Sequence, residues 1–409
     1  MSNRLVPPAL LAVLFQGLAV SVPAQERNDA VQRRPRLAAS ADTCDAQAYY
    51  RHGITRLKQN AREAADAFYW ASRIDPTHAR ALYARRVALL IEDRRVFTRY
   101  VEGHRATIRS AKVQAADSLY RRALMLDPFL FRDVDRQMLD LYVEILAEQS
   151  GGDPMTRADI ATYMHYLLRG SGNEMEAWLL YTERKFPEAL ASYAEALKRT
   201  DDKAGIHAER ARIYFLTGRY DLAEREMSAA LDEMRAVDRK ESVFLYDSKA
   251  SYEFALGYIL ERAGQHDNAI EAYGRALVED LSFFPAHGRT ASILLARGDT
   301  AAALNALALA VTIESVDAGL RLSYGRLLAA RGDAAQAVTQ LEALTVAEPW
   351  FAAPWAALGQ ASEQAGRIAD ALVAYNGFLA RASRNDRLRS QVTQRVQALQ
   401  GAPENGGVR

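Results

Sequence analysis

The sequence contains little cysteine and almost no net charge. Cys44 is the single cysteine among 409 residues, so no disulfide can form within the chain and no thiolate cluster can hold a metal. The 52 basic and 51 acidic side chains leave a net charge of +1, whereas nucleic-acid-binding domains normally carry a clear basic excess. We therefore expect neither a disulfide scaffold, nor a cysteine-held metal, nor a nucleic-acid partner.

Sequence motifs for catalysis are also missing. The seven histidines form no His-x-x-x-His or His-Glu-x-x-His pair, which removes the usual local zinc signature. The chain has no phosphate-binding Gly-x-x-x-x-Gly-Lys-Ser/Thr loop and no Gly-x-Ser-x-Gly elbow. We expect no enzymatic activity, cofactor or metal. The alternative, an enzyme with a site assembled from residues 129–175, stays open.

Long apolar runs are absent after the N-terminus, whose residues 1–24 have the form of a secretory signal peptide. Arg4 provides a positive start, residues 5–20 are apolar, and small residues precede a cleavage point after Ala24. The apolar run is short for a bilayer span and contains two prolines. We predict a periplasmic or secreted mature chain without a transmembrane segment. An uncleaved N-terminal anchor is the alternative.

A fixed period dominates the rest of the chain. Four positions recur every 34 residues over four units and are filled by small or large apolar residues according to the position. They are Gly257, Ala291, Gly325 and Gly359; Gly264, Gly298, Gly332 and Gly366; Ala269, Ala303, Ala337 and Ala371; and Tyr273, Leu307, Leu341 and Tyr375. A constant period of this size indicates a repeat solenoid.

Each repeat has the pattern of two helices joined by a tight turn. In one unit we predict helices over 252–263 and 267–278, with Gly264 in the left-handed conformation that ends the first helix. Small residues at the Gly257 and Ala269 positions allow the two backbones to approach closely. One such hairpin cannot bury both of its apolar faces, so neighbouring hairpins must stack.

This pattern resembles the tetratricopeptide repeat family. The small–large–small signature of the family is carried, in the same unit, by Gly257, Leu260, Gly264, Ala269, Tyr273 and Ala276. The resemblance extends over about residues 45–385 and implies an all-α fold. The implied architecture is an α-solenoid of helix-turn-helix repeats in a right-handed superhelix, closed by a C-terminal capping helix.

Departures from the period suggest the domain organisation. The Ala64 to Ala116 step is 52 residues, 18 more than the period, and the Ala116 to Ala189 step is 73, 39 more than the period. The second excess is long enough for a further helix pair. The predicted division is a signal peptide at 1–24, a disordered leader at 25–43, two repeats with an insertion at 44–128, a degenerate helix pair at 129–172, a repeat array at 173–384, a capping helix at 385–400 and a disordered tail at 401–409.

The resemblance also implies a binding groove. In the family, the first helix of each pair lines the concave face. Aromatic and arginine side chains are the types enriched at protein-binding hot spots in general. The candidate partner-binding residues are Trp178, Tyr181, Arg212, Phe215, Phe254, Tyr258, Glu261 and Arg326. The competing interpretation is that such aromatics pack between adjacent helices, and that Trp178 packs on the inserted helices.

These observations favour an exported scaffold that binds a protein or peptide partner within a cell-envelope assembly. An accessory subunit of an outer-membrane export system for polysaccharide or protein is the alternative. Fold-level resemblance does not by itself decide between them.

Overall fold

The computed structural model describes residues 32–101, 104–149, 172–200, 203–240 and 248–401. Across these ranges the regular secondary structure consists of helices, with strands absent. The predicted all-α fold is confirmed. Nor is any helix of these ranges both long enough and apolar enough to cross a bilayer.

Twenty helices lie in the described ranges. In chain order they are α1 (Ala46–Arg56), α2 (Ala61–Ile74), α3 (Ala79–Ile91), α4 (Arg94–Val101), α5 (Arg105–Ile108), α6 (Ala111–Leu126), α7 (Asp135–Gln149), α8 (Gly172–Thr182), α9 (Phe186–Ala196), α10 (Lys203–Leu216), α11 (Tyr220–Lys240), α12 (Lys249–Arg262), α13 (His266–Glu279), α14 (Phe284–Ala296), α15 (Thr300–Ile313), α16 (Ala318–Ala330), α17 (Ala334–Ala347), α18 (Ala352–Gln364), α19 (Ile368–Arg381) and α20 (Arg389–Gly401).

The helices are arranged as hairpins whose seams combine a small residue with a large one. A Cβ added to Gly257 on α12 would lie 2.5 Å from the Tyr273 ring of α13, so the missing side chain makes room for the tyrosine. Gly264 ends the first helix at φ +79°, and the amide of Gln265 donates to the carbonyl of Leu260 at 2.9 Å. This is the glycine cap that the period predicts.

Additional helices account for extra residues in two steps that exceed the 34-residue period. α4 and α5 stand between α3 and α6, which pack on each other, and they account for the first insertion. The first helix of the degenerate pair predicted at 129–172 is α7. Residues 150–171, where the second helix of that pair is predicted, lie outside the described residues.

Two further helices, α11 and the capping helix α20, depart from the simple repeat pattern. The step from Ala211 to Gly257 is 46 residues, 12 more than the period, and α11 takes up part of this excess because it continues to Lys240 over 21 residues. The capping helix α20 begins at Arg389 rather than at 385, because the preceding residues form turns in which Arg389 donates to the carbonyl of Asp386 at 3.1 Å. Val392 and Val396 of α20 are buried with residues of α19.

The chain forms two compact units. The first contains Gly53–Phe68 and Ala79–Ala286, and the second contains Arg34–His52, Tyr69–His78 and the residues from His287 onward. The core of the second unit runs through the seams of α16, α17 and α18, where Ala337 and Leu341 are fully buried.

Part of the predicted leader packs within the second unit. Residues 34–43, called here the leader strap, carry Arg34, whose Nε donates to the Tyr49 hydroxyl at 2.8 Å. The Arg34 guanidinium lies 4.7 Å from the centre of the Trp70 ring and 5.1 Å from that of Trp350. Cation–π contacts and a hydrogen bond thus hold a polar segment for which composition alone predicts disorder.

Further ion pairs join the ends of the second unit. Asp42 of the leader strap accepts the Arg384 backbone amide at 2.5 Å and pairs with the Arg384 guanidinium at 3.7 Å. Arg73 of α2 forms an ion pair with Glu348 at 2.6 Å. The N-terminal residues of this unit therefore contact the last repeats of the chain.

Candidate partner-binding surface

Several predicted groove residues contact a segment of the chain itself. Residues 127–134, called here the inner loop, connect α6 to α7 without a helix. The Phe129 ring stacks on Phe215 of α10 at 4.5 Å and lies 6.3 Å from Tyr258 of α12. The Phe131 ring is 5.3 Å from Tyr181 of α8. The inner loop therefore lies across the first helices of three successive hairpins.

Arg212 of α10 fixes the backbone of the inner loop. Its Nη1 donates to the carbonyls of Pro128 at 3.1 Å and Leu130 at 3.4 Å, and its Nε pairs with Glu209 at 3.3 Å. Burial opposes the charged form of Arg212, but the combined effect of Glu209, Tyr120 and Tyr181 outweighs it and the pKa of Arg212 rises. The guanidinium thus remains charged and acts as a donor to peptide carbonyls.

A buried network of charges anchors the end of the inner loop. Arg132 pairs with Glu209 at 3.2 Å and with Asp135 at 3.3 Å. Burial raises the pKa of Asp135, an effect that Arg132 and a hydrogen bond from Tyr83 partly offset. Such an arrangement favours one geometry, because removing Arg132 would leave Asp135 buried without its ion-pair partner.

Trp178 and Tyr181 of α8 belong to the same network. The Trp178 side chain hydrogen bonds to Asp135. The Tyr181 hydroxyl accepts the Arg132 amide at 3.4 Å, and burial raises the pKa of Tyr181 to about 12. Both side chains are buried, so they pack in the interior beside the inner loop and are not available to a partner at the surface.

Phe254, Glu261 and Arg326 occupy other positions. Phe254 is buried in a seam, with its ring 5.6 Å from Tyr273 and 5.3 Å from Phe283. Glu261 accepts the Tyr273 hydroxyl at 2.7 Å. Arg326 is exposed on α16 in the second unit. The structure thus brings five of the eight predicted residues to the inner loop or, for Trp178, to Asp135 just after it, and leaves these three apart.

Two of those five remain partly accessible. Phe215 and Tyr258 are half-buried, and their rings lie 5.5 Å apart. Tyr220, also half-buried, lies 5.4 Å from Phe215. The accessible part of the predicted groove is therefore an aromatic patch beside the inner loop.

Arg184 is a residue that the sequence reasoning missed. It adopts φ +59°, and among the described non-glycine residues it is the one with positive φ. At the equivalent turns of later repeats the left-handed position is taken by Gly218, Gly264, Gly298, Gly332 and Gly366. A side chain in this region costs about 1 kcal/mol or more.

The side chain of Arg184 compensates in part for this cost. Its guanidinium lies 4.1 Å from the centre of the Phe131 ring, which is a favourable cation–π distance. Aligning residue 184 with Gly218, 34 positions later, is the sequence signal that identifies the departure. The apolar run of the inner loop, outside any repeat signature, is the corresponding signal for Phe129 and Phe131.

Part of the chain matches a known repeat family. Residues 174–237 and 254–318 match the model of the tetratricopeptide repeat. The fold is a tetratricopeptide-type α-solenoid. The matched segments cover most of the residues of α8 to α15, so the inner loop lies on repeats of this type. Among the described residues, no group of three or more histidine, cysteine, aspartate or glutamate side chains is arranged to hold a metal ion.

Individual relatives cover the chain unevenly. The Hsp70-Hsp90 organising protein of Plasmodium falciparum is 27% identical over 113 residues, which is 28% of this chain and 19% of that protein. This chain thus matches about a fifth of that relative's length.

Solved structures with similar helical repeats are more distant in sequence. Yeast Tom70 is 13% identical with a TM-score of 0.43, covering 87% of this chain and 89% of that one. YrrB, described as a TPR protein with an unusual peptide-binding site, is 17% identical with a TM-score of 0.39, covering 50% of this chain and 97% of that one. Neither similarity identifies what the present solenoid binds.

Proposed function

We propose that this protein is an exported tetratricopeptide scaffold that binds a protein or peptide partner within a cell-envelope assembly. The observation that carries the proposal is the inner loop. The first helices of three successive hairpins already hold a non-helical stretch of polypeptide, through ring stacking on Phe215 and carbonyl capture by Arg212. The same face therefore has the chemistry needed to hold a polypeptide.

The partner would bind beside the inner loop. Phe215 and Tyr258 expose part of their rings there, and Tyr220 extends the patch. Aromatic side chains lose little conformational entropy on binding and bury a large area, which makes them common anchors for protein partners.

The binding proposal is tested by affinity capture from the native host. The full chain, carrying a C-terminal tag, is expected to retain a stoichiometric protein partner that the Phe215→Ala, Tyr258→Ala double variant loses. The control is the double variant Val278→Ala, Leu281→Ala, which removes two exposed apolar side chains of the same unit. Equal retention by both double variants would contradict a role for the aromatic patch.

The identity of the captured partner decides between the two envelope roles. A subunit of an outer-membrane polysaccharide or protein export system would favour the accessory-subunit alternative. A partner from another assembly would favour the general scaffold.

Export itself is a separate part of the proposal. It rests on the signal-peptide pattern of residues 1–24. Mass spectrometry of the protein recovered from the periplasmic or culture fraction is expected to find Gln25 at its N-terminus. Recovery of the intact Met1 form from the cytoplasm would contradict export.

A further inference from the structure

Two successive hairpin turns of the first unit share a basic residue followed by an aromatic one. Lys185 precedes Phe186, the first residue of α9, and Arg219, 34 residues later, precedes Tyr220, the first residue of α11. The equivalent pairs in the following repeats, Gln265-His266, Asp299-Thr300 and Asp333-Ala334, lack this combination. The feature is thus local to two turns and is not a property of the repeat.

Both turns also place an arginine on an aromatic ring. The Arg184 guanidinium lies over Phe131 at 4.1 Å, and that of Arg219 lies over Tyr214 at 5.0 Å. Phe186 approaches Phe131 edge-on at 6.4 Å. We name this surface, formed by Phe131, Arg184, Lys185, Phe186, Arg219 and Tyr220, the turn edge.

The charges of the turn edge are unevenly matched. Arg184 and Arg219 are exposed and form no ion pair with the described residues. The neighbouring Glu183 is already engaged by Arg136 and Lys185, each at 2.9 Å. Stacking on a ring orients a guanidinium but leaves its N–H donors available, and these donors match a carboxylate in bidentate geometry.

Arg184 also departs from the glycine that the other repeats use at this position. Its positive φ disfavours any side chain, and the backbone cap that it makes requires only a residue that tolerates that conformation. A strained residue with an exposed, oriented charge points to a role outside folding.

We propose that the turn edge is a docking surface for an acidic segment of the partner protein, whose carboxylates bind Arg184 and Arg219. The occupant is assigned by charge complementarity with the two exposed arginines and by the half-buried rings of Phe131, Phe186 and Tyr220 at the same two turns. The inference rests on the proposed scaffold function and specifies the chemistry of its partner.

The first test measures binding of a labelled peptide of glutamate, glycine and phenylalanine, with its glutamine counterpart as the uncharged probe. Fluorescence anisotropy with the full chain is expected to show binding of the acidic peptide alone, weakening as salt is added. The Arg184→Gly, Arg219→Ala variant is expected to bind about tenfold more weakly, since two charge-assisted contacts are lost. The control variant Arg331→Ala, Arg387→Ala removes two exposed arginines of the second unit and is expected to bind normally.

A second measurement separates docking from a structural role. Glycine accepts the backbone conformation of residue 184, so Arg184→Gly is expected to melt no lower than the wild-type protein while its peptide affinity falls. A lower melting temperature with unchanged affinity would make Arg184 a packing residue and overturn the proposal.

Other outcomes also decide the question. Equal binding of the acidic and glutamine peptides, or binding of neither, would overturn the acidic assignment. Preference for vesicles of phosphatidylglycerol over the peptide would assign the surface to a membrane instead. If partner capture depends on Phe215 and Tyr258 but not on Arg184 and Arg219, the scaffold function stands and this inference fails.

Discussion

At the scale of single residues, stability depends on small side chains at the hairpin seams. A Cβ added to Gly325 would lie 2.7 Å from Leu341 Cγ, and Ala337 is fully buried in the same core. Gly274 is different, because it lies on an exposed part of α13 with open space where a Cβ would stand. The same residue type is therefore required at one position and unfavourable at another.

We predict that Gly325→Val and Ala337→Leu each lower the free energy of unfolding by about 1–3 kcal/mol, because the added atoms overpack a filled seam. The matched control, Gly274→Ala, is expected to raise it by about 0.5–1 kcal/mol through better helix propensity. Urea denaturation followed by circular dichroism checks all three. Unchanged stability in both seam variants would show that the seam is misplaced.

At the scale of elements, the leader strap contributes contacts that no repeat contains. Arg34 is its main anchor, since its side chain meets Tyr49, Trp70 and Trp350 and donates to the Thr43 carbonyl at 2.5 Å. Arg36, two residues later, is exposed. The pair offers a comparison of two arginines in one segment.

We expect Arg34→Ala to destabilise the second unit by about 1–2 kcal/mol, because a cation enclosed by several rings is lost. Tryptophan fluorescence during denaturation is a suitable measure, since Trp70 and Trp350 line the site. Arg36→Ala serves as the control and is expected to unfold like the wild-type protein. Identical curves for both variants would show that the leader strap adds nothing to stability.

At the scale of the whole molecule, each hairpin depends mainly on its neighbours. α16 packs on α15, α17 and α18, so its loss affects those helices first. In a repeat array, stability is approximately a sum of repeat and nearest-neighbour contributions. Damage in one seam is then expected to spread over short distances along the chain.

Hydrogen exchange tests this locality. Gly325→Val is expected to speed amide exchange in residues 300–364, which span α15 to α18, and to leave α8 to α11 at wild-type rates as an internal control. The physical reason is that the altered seam shares contacts with the first set and lies in a different compact unit from the second. An equal increase everywhere would mean that the chain opens as one cooperative unit.

The period of 34 residues was sufficient to predict the all-α fold, the hairpins and their glycine caps. These features depend on local interactions, since Gly264 ends its helix and Gly257 faces Tyr273 within a single hairpin. The eight candidate site residues could be placed on first helices for the same reason. Their surroundings could not, because those depend on segments that carry no repeat signature.

The amino-acid sequence by itself therefore determined which residues form helices and which small and large side chains meet in each seam. Only the tertiary structure decided that the inner loop contacts Tyr181 and Arg212, and that Arg34 binds between aromatic rings. Arg212 and Pro128 are 84 residues apart, and Arg34 and Trp350 are much further apart. Contacts at such separations follow from how hairpins stack in space, which periodicity along the chain does not record.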